Sequence, residues 1–155
     1  MSYGRTRRPE GGANLYSLPT SFIAVDTETT GLDFDLCNII EIGAVKVDNG
    51  EIVDSFKTLI KVDEKLPPFI VHLTGITDEM LADAPSLNEV MTDFDAFVGD
   101  SILLAHNAAF DMNFLYTAYE RALGKPLSND YVDTLRVARR ALPQLQHRTL
   151  SDLCA

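Results

Sequence analysis

The sequence predicts an α/β fold, a mixed β-sheet with helices packed against it. Three observations lead there. Apolar and β-branched runs crowd the first third of the chain, and two of them are joined by Asn49-Gly50, a strong hairpin signal. From residue 87 onward, apolar residues recur at helical spacing. Between two of those helical stretches lies a short apolar run, residues 101–105, of the kind that forms a buried strand.

Taken in order, residues 1–19 are rich in Gly, Pro, Arg and Asn and read as a flexible arm, with the folded domain occupying 20–155. Residues 21–26 (SFIAVD) read as a buried strand that ends in a turn near Gly31. Residues 39–47 and 51–62 read as a second and third strand, and three antiparallel strands in succession make a meander. Pro67-Pro68 interrupts the pattern, and residues 73–81 read as a turn leading into a short helix capped by Thr77. Ser86 begins a helix over Leu87–Val98, with Glu89 three residues on to complete a capping box and Gly99 to end it. After the strand at 101–105, residues 106–111 form a loop and 112–123 a helix closed by Gly124. A further helix is expected over 132–142, capped by Asp133 and stopped by Pro143, and a last one begins near Thr149.

Composition narrows the function classes. No apolar run approaches the length of a membrane span, and the basic N-terminal stretch has no apolar core behind it, which argues against a secretory signal. Cys37 and Cys154 show neither a disulfide framework nor metal-ligand spacing, so a reducing, cytoplasmic location is expected. The net charge of −10 argues at first against a polyanionic partner. Its distribution alters that reading: residues 1–20 carry +2, 21–120 carry −15 and 121–155 carry +3. Carboxylates gathered in the middle of a chain can hold divalent cations, which then attract phosphate. For most of the 19 acids in that middle segment, a solvated surface is the better account.

Two motifs carry chemistry. In residues 25–32 (VDTETTGL), Asp26 and Glu28 are two apart, so in a strand they point to the same side. At the carboxyl end of a central strand, two such hard oxygen ligands suit Mg²⁺ or Mn²⁺. As turn residues they would have no such role. In residues 106–111 (HNAAFD), a strand runs into a polar loop and Asp111 falls at a helix N-terminus, where the helix dipole alone would favour a carboxylate. His106 there could equally be an ordinary hydrogen-bonded histidine.

The two motifs occur together, with GEIVDSF (50–56), LTGITDEML (73–81), VDTLRVAR (132–139) and HRTLSDLC (147–154) placed around them. In this order they resemble the DEDD superfamily of 3′→5′ exonucleases, and within it the proofreading exonucleases of bacterial DNA polymerase III of the epsilon and PolC types. The resemblance implies a ribonuclease-H-like mixed sheet flanked by helices. It implies hydrolysis of DNA by two Mg²⁺ or Mn²⁺ ions, releasing nucleoside 5′-monophosphates one at a time. Asp26 would bridge the ions, with Glu28 and Asp111 holding them from either side. Thr29, Thr30 and Leu32 would line the pocket of the terminal nucleotide, and Leu73, Thr74, His106, Asn107 and Phe110 would lie near it. Phe110 as core and Leu73 as helix packing are the plain alternatives. The partners implied are the 3′ end of single-stranded DNA and a DNA polymerase subunit or domain, with no membrane.

The resemblance also implies a third motif, His-x₄-Asp, that supplies a general base and a fourth carboxylate. His147 and Asp152 match it literally. In the similar exonucleases, however, a segment like HRTLSD precedes the third motif, and the 36 residues from Asp111 to His147 make a short spacing. His147 and Asp152 are therefore expected to be a decoy, the domain to be C-terminally incomplete, and the chain to be weak or inactive, since loss of a general base costs about 10²–10⁴-fold in rate. An exposed apolar surface is expected where a final helix would sit. Two other readings stand beside this one: an RNA-directed relative of the same superfamily, and a non-catalytic module that binds a nucleic-acid end or a polymerase. Arg136, Arg139, Arg140 and Arg148 could follow a nucleic-acid backbone, and the first three are equally a solvated helix face.

Overall fold

The computed structural model describes residues 11–154. Its sheet has the strands β1 (Asn14–Leu15), β2 (Phe22–Thr29), β3 (Ile39–Asp48), β4 (Glu51–Leu59), β5 (Leu103–Ala105) and β6 (Tyr131–Asp133) in the spatial order β1-β6-β5-β2-β3-β4. β2, β3 and β4 pair antiparallel, while β1, β6, β5 and β2 run parallel. The carboxyl ends of four strands therefore share one edge, which is where ligand sites of such sheets lie.

The meander forms as expected. Asn49 and Gly50 both take positive φ (49° and 85°), the geometry of a tight hairpin turn whose twist matches its strands. Along β2, Ile23, Val25, Thr27 and Thr29 are buried, while Ala24, Asp26 and Glu28 occupy the other face. The buried face packs on α3 (Leu87–Val98) and α4 (Ala109–Leu123), with Ile23, Ile42, Met91, Phe94, Leu103, Met112, Leu115 and Tyr119 at the centre of the core. α3 starts with the full capping box: Ser86 Oγ accepts from the Glu89 amide, and the Glu89 carboxylate accepts from Ser86 N–H at 2.8 Å. A smaller cluster of Ile40, Leu66, Ile70, Ile76 and Leu81 seats α1 (Pro68–Thr74) and α2 (Asp78–Ala82) at the start of β3. Thr77 caps α2 as expected. Both Ile39 and Ile40 are buried because the β2–β3 register shifts by one residue between Glu28 and Thr29.

Four expectations need correction. The arm at 1–19 is not wholly detached: residues 1–10 lie outside the described residues, but Asn14–Leu15 form a parallel edge strand on β6. A two-residue strand has no periodicity of its own, and the open edge of β6 decides it. β2 does not stop at residue 26 but runs to Thr29, because β3 continues to pair with the polar stretch. Pro67-Pro68 starts a helix instead of only breaking a pattern, since Pro68 sits in the first turn, where its missing N–H costs nothing. The helix expected over 132–142 begins later, as α5 (Thr134–Ala141). Tyr131–Asp133 are drawn into the sheet beside β5, and Asp133 caps α5 by accepting from Leu135 N–H at 3.0 Å.

Candidate active site

Asp26 and Glu28 project from the carboxyl half of β2 onto the sheet face away from α3 and α4. Asp111 reaches the same strand from the opposite side. It lies in the first turn of α4 and is 4% exposed. Its Oδ1 accepts two hydrogen bonds from one residue, Thr27: the backbone N–H at 2.9 Å and the Oγ1 hydroxyl at 2.7 Å. Thr27 is the buried residue between the two strand carboxylates. The motif thus presents acids to one face while its middle residue grips the third acid on the other.

The electrostatics follow from this packing. Burial is the main cause that raises the Asp111 carboxyl, to about 6. The Thr27 hydroxyl opposes that rise and the nearby Asp26 charge adds to it. Burial also raises Asp26, partly offset by a backbone hydrogen bond at Thr27. Glu28 is raised by burial first, then by the charges of Asp26 and Glu41. Glu41 is its cross-strand neighbour on β3 and lies 3.8 Å from Lys57 Nζ. Three carboxylates with raised proton affinity are short of positive charge. The donor set is oxygen only, which fits a hard divalent cation. Space exists for one beside Asp26, because its cross-strand partner is Gly43 and nothing lies within 4 Å of where a Gly43 Cβ would stand. Among the described residues no three acidic, His or Cys side chains are already closed on a common point.

The remaining expected residues divide into groups. Thr29 and Thr30 are buried at the strand end, and both hydroxyls are engaged: Thr29 Oγ1 donates to Gly31 O at 2.7 Å, and Thr30 Oγ1 accepts from Asn38 N–H at 3.0 Å. Leu32, just beyond, is 67% exposed. On the β5–α4 loop, His106 uses both ring nitrogens, one with Thr134 Oγ1 at 3.0 Å and the other with the Arg148 carbonyl at 2.8 Å. Asn107 takes a positive φ of 61° and donates its N–H to Asp133. Phe110 is half-buried and lies 5.0 Å from the Phe114 ring, so it is attached to the core yet reaches the surface. Leu73 is 65% exposed at the end of α1, whereas Thr74 folds its hydroxyl back onto Ile70 O. No hydrogen bond among the described residues ties Leu73 or Thr74 to the strand end.

Asp152 is committed elsewhere. It completes a capping box with Thr149 at the start of α6 (Leu150–Leu153), accepting from Thr149 N–H at 2.9 Å and from its hydroxyl at 2.6 Å. His147 is exposed, and its charge bears on Asp152. No hydrogen bond or ion pair among the described residues joins either of them to Asp26, Glu28 or Asp111.

Two features were missed by sequence reasoning. Thr27 as the holder of Asp111 had a signal: alternation places it on the core face, and a buried hydroxyl needs a partner. The Arg136 clasp had none. Its guanidinium donates to Asn14 Oδ1 at 2.6 Å and to the carbonyls of Asn14 and Leu15, and it lies 3.9 Å from the Tyr16 ring. Arg148 likewise spends its guanidinium on the Leu142 and Pro143 carbonyls.

Comparison with known proteins gives a consistent result. The family described as "Exonuclease" (RNase_T) matches residues 23–155. The chain is 43% identical over 142 residues to the PolC-type DNA polymerase III of Halalkalibacterium halodurans, covering 92% of this chain and 10% of that protein. It is 49% identical over 119 residues to the PolC-type polymerase of Staphylococcus aureus, covering 77% of this chain and 8% of that one. The chain thus spans about a tenth of the length of these relatives. Among solved structures, exonuclease X in complex with 5′ overhanging duplex DNA superposes with a TM-score of 0.65 at 29% identity, over 82% of this chain and 68% of that one. Escherichia coli exonuclease I with a dT13 oligonucleotide superposes at 0.69 and 19% identity, over 84% of this chain and 32% of that one, which bears on fold alone. The mixed six-stranded sheet flanked by helices is the ribonuclease-H-like fold of these exonucleases. By the extent of the family match and by its identity to the PolC-type relatives, the chain belongs to the exonuclease family.

Proposed function

We propose that the chain is a 3′→5′ exonuclease domain acting on single-stranded DNA ends, that its site is built on Asp26, Glu28 and Asp111, and that it serves proofreading beside a replicative polymerase. The observation that carries this reading is the arrangement around Thr27. Two carboxylates stand on one face of β2, and a third is held against the same strand by two hydrogen bonds while burial and the neighbouring charge raise its proton affinity. Such a cluster is costly unless a cation neutralises it. Two bound Mg²⁺ or Mn²⁺ ions would lower the pKa of a water and polarise the scissile phosphate.

The chain's own residues then have distinct tasks. Asp26, Glu28 and Asp111 supply the oxygen ligands. The strand end around Thr29 and Thr30, whose hydroxyls are already bonded, forms the floor for the terminal nucleotide, and the exposed side chains of Leu32 and Leu73 with the half-buried ring of Phe110 offer apolar contact to its base. His106 and Asn107 shape the opposite wall through the loop they brace. His147 is not the general base in this reading, because Asp152 is turned to cap α6. The polymerase partner is supported by the PolC-type relatives, of which this chain matches a tenth.

Release of nucleotides from 3′-labelled single-stranded DNA with Mn²⁺, in wild type, Asp26→Ala and His147→Ala, tests this reading. Weak activity in wild type and in His147→Ala that disappears in Asp26→Ala supports it, as expected of a carboxylate site that lacks its general base. Equal loss in both variants would make His147 the base. Preference for an RNA oligomer of the same sequence would move the domain to an RNA substrate.

A further inference from the structure

The proposed site accounts for the end of a strand but not for the nucleotides behind it. Given that reading, the rest of the strand must leave across one side of the sheet. β2, β5, β6 and β1 are parallel neighbours, so the residues that follow each strand lie along one edge of the sheet. By register, Tyr16 follows Leu15 as Asp133 follows Val132. Tyr16 therefore stands on the same edge as Asp26, three strand spacings away, or ~14 Å.

Tyr16 is an unusual surface residue. The residue is 70% exposed, yet its ring is held, with the Arg136 guanidinium 3.9 Å from its centroid. That guanidinium is itself fixed by the side chain and carbonyl of Asn14 and the carbonyl of Leu15. One ring face is taken by the cation and the rest of the ring is open to solvent. An aromatic plane ordered in advance loses little entropy when a base stacks on it.

The charges around it have the right sign. Arg139 and Arg140 follow Arg136 by three and four residues on α5, so they share its helix face. Both are exposed, and neither makes a salt bridge among the described residues. On the other side of the carboxylates acids outnumber bases: Glu41, with Lys57 beside it, faces Glu28 on β3, and Asp33 and Asp35 occupy the loop after β2, where Arg121 donates to the Asp35 carbonyl. A polyanion whose end is held at Asp26 is repelled from that side and attracted to α5.

We propose that Tyr16, with Arg139 and Arg140, forms a stacking and phosphate-binding track for the single strand a few nucleotides behind the end held at the carboxylates. Tyr16 supplies a sequence-independent stacking plane, and the two arginines supply the salt-dependent part of the affinity. Arg136 positions the ring and touches no nucleotide.

The experiment is binding by fluorescence anisotropy, in Mg²⁺, of a thymidine dinucleotide and a thymidine dodecamer. Both probes are 5′-labelled and carry a 3′-terminal phosphorothioate so that hydrolysis does not shorten them. Tyr16→Ala is expected to weaken the dodecamer about 5- to 150-fold, the range for loss of one stacked base, and to leave the dinucleotide unchanged. Tyr16→Phe keeps the plane and should bind as wild type. Tyr16→Leu keeps apolar bulk over Arg136 without the plane and should lose dodecamer affinity at an unchanged melting temperature. Arg139→Gln with Arg140→Gln should flatten the salt dependence for the dodecamer alone. Wild-type affinity of Tyr16→Ala and Tyr16→Leu for the dodecamer, or equal losses on both probes, overturns the track while the site stands. Failure of wild type to bind either probe overturns the exonuclease reading and the track with it.

Discussion

Thr27 and Asp111 lie 84 residues apart in sequence, yet the backbone N–H and the hydroxyl of the first both donate to a single oxygen of the second. This contact couples a strand and a helix terminus into one site. It leaves the other Asp111 oxygen outside the pair of Thr27 bonds, and it holds a carboxylate where burial disfavours its charge.

The first prediction concerns that cost. The folded-state pKa of Asp111 is about 6 against an ordinary 3.8, so the fold favours the protonated form. Stability from this group is fully present below pH 3.8 and is lost as the pH rises through about 6. The gap corresponds to about 3 kcal/mol. Asp111→Asn keeps an oxygen acceptor for both Thr27 donors and carries no charge. In EDTA it should match wild type at acid pH and exceed it by about 3 kcal/mol above neutrality, while nucleotide release is lost. Urea unfolding at both pH values measures the difference, and a gap of the same size at each pH would show that Asp111 titrates as an ordinary carboxylate.

Removing the hydroxyl has the opposite sign. Thr27→Val keeps shape and leaves the backbone N–H as the only donor from that residue. A hydrogen bond to a charged group contributes about 1.5–3 kcal/mol, so the variant should lose about 2 kcal/mol at neutral pH and less at acid pH. The acidic limb of its pH–activity profile should move upward, because Asp111 would hold its proton more tightly. An unchanged limb would show that the hydroxyl does not set the proton affinity of Asp111.

Cation binding should stabilise the fold. Mn²⁺ must displace protons from carboxylates whose affinities for them are raised, so the gain in melting temperature should be larger at about pH 8 than at about pH 5. Asp26→Ala should show little gain at either pH. A thermal-shift titration gives the answer directly, and full retention of the shift in Asp26→Ala would remove Asp26 from the ligand set.

Surface and strand-end residues should separate cleanly. Leu32→Ser and Leu73→Ser alter exposed side chains, so stability should stay within about 0.5 kcal/mol while KM for single-stranded DNA rises. Thr30→Val removes the acceptor of a half-buried Asn38 N–H and should lower stability by about 0.5–1.5 kcal/mol. A loss of stability in Leu73→Ser with unchanged KM would return Leu73 to helix packing.

The local signals that sequence carries well were those written in a few adjacent residues. The Ser86–Glu89 capping box, the Asn49-Gly50 turn, the Thr77 cap and the Gly124 helix end all arise from neighbours within four positions, and each stands in the structure as expected. So does the placement of Asp26 and Glu28 on one face, which is period-two geometry. Two of the boundaries that moved were set by a distant partner. The extension of β2 to Thr29 depends on β3, and the conversion of Val132 and Asp133 from helix to strand depends on β5 and β1.

By itself, the sequence determined the fold class, the meander, the helix caps and the pair of motifs that place this chain among exonucleases, because each is encoded in periodicity, turn chemistry or a contiguous string of residues. Only the tertiary structure decided how the motifs meet. It decided that Thr27 holds Asp111, that Asp111 is buried enough to resist ionisation, and that Arg136 fastens Asn14, Leu15 and Tyr16 to the sheet edge. Those outcomes depend on which elements become neighbours: alternation shows that the Thr27 hydroxyl needs a partner, but which residue supplies it 84 positions away, like the partner of Arg136 122 positions away, is set by the fold.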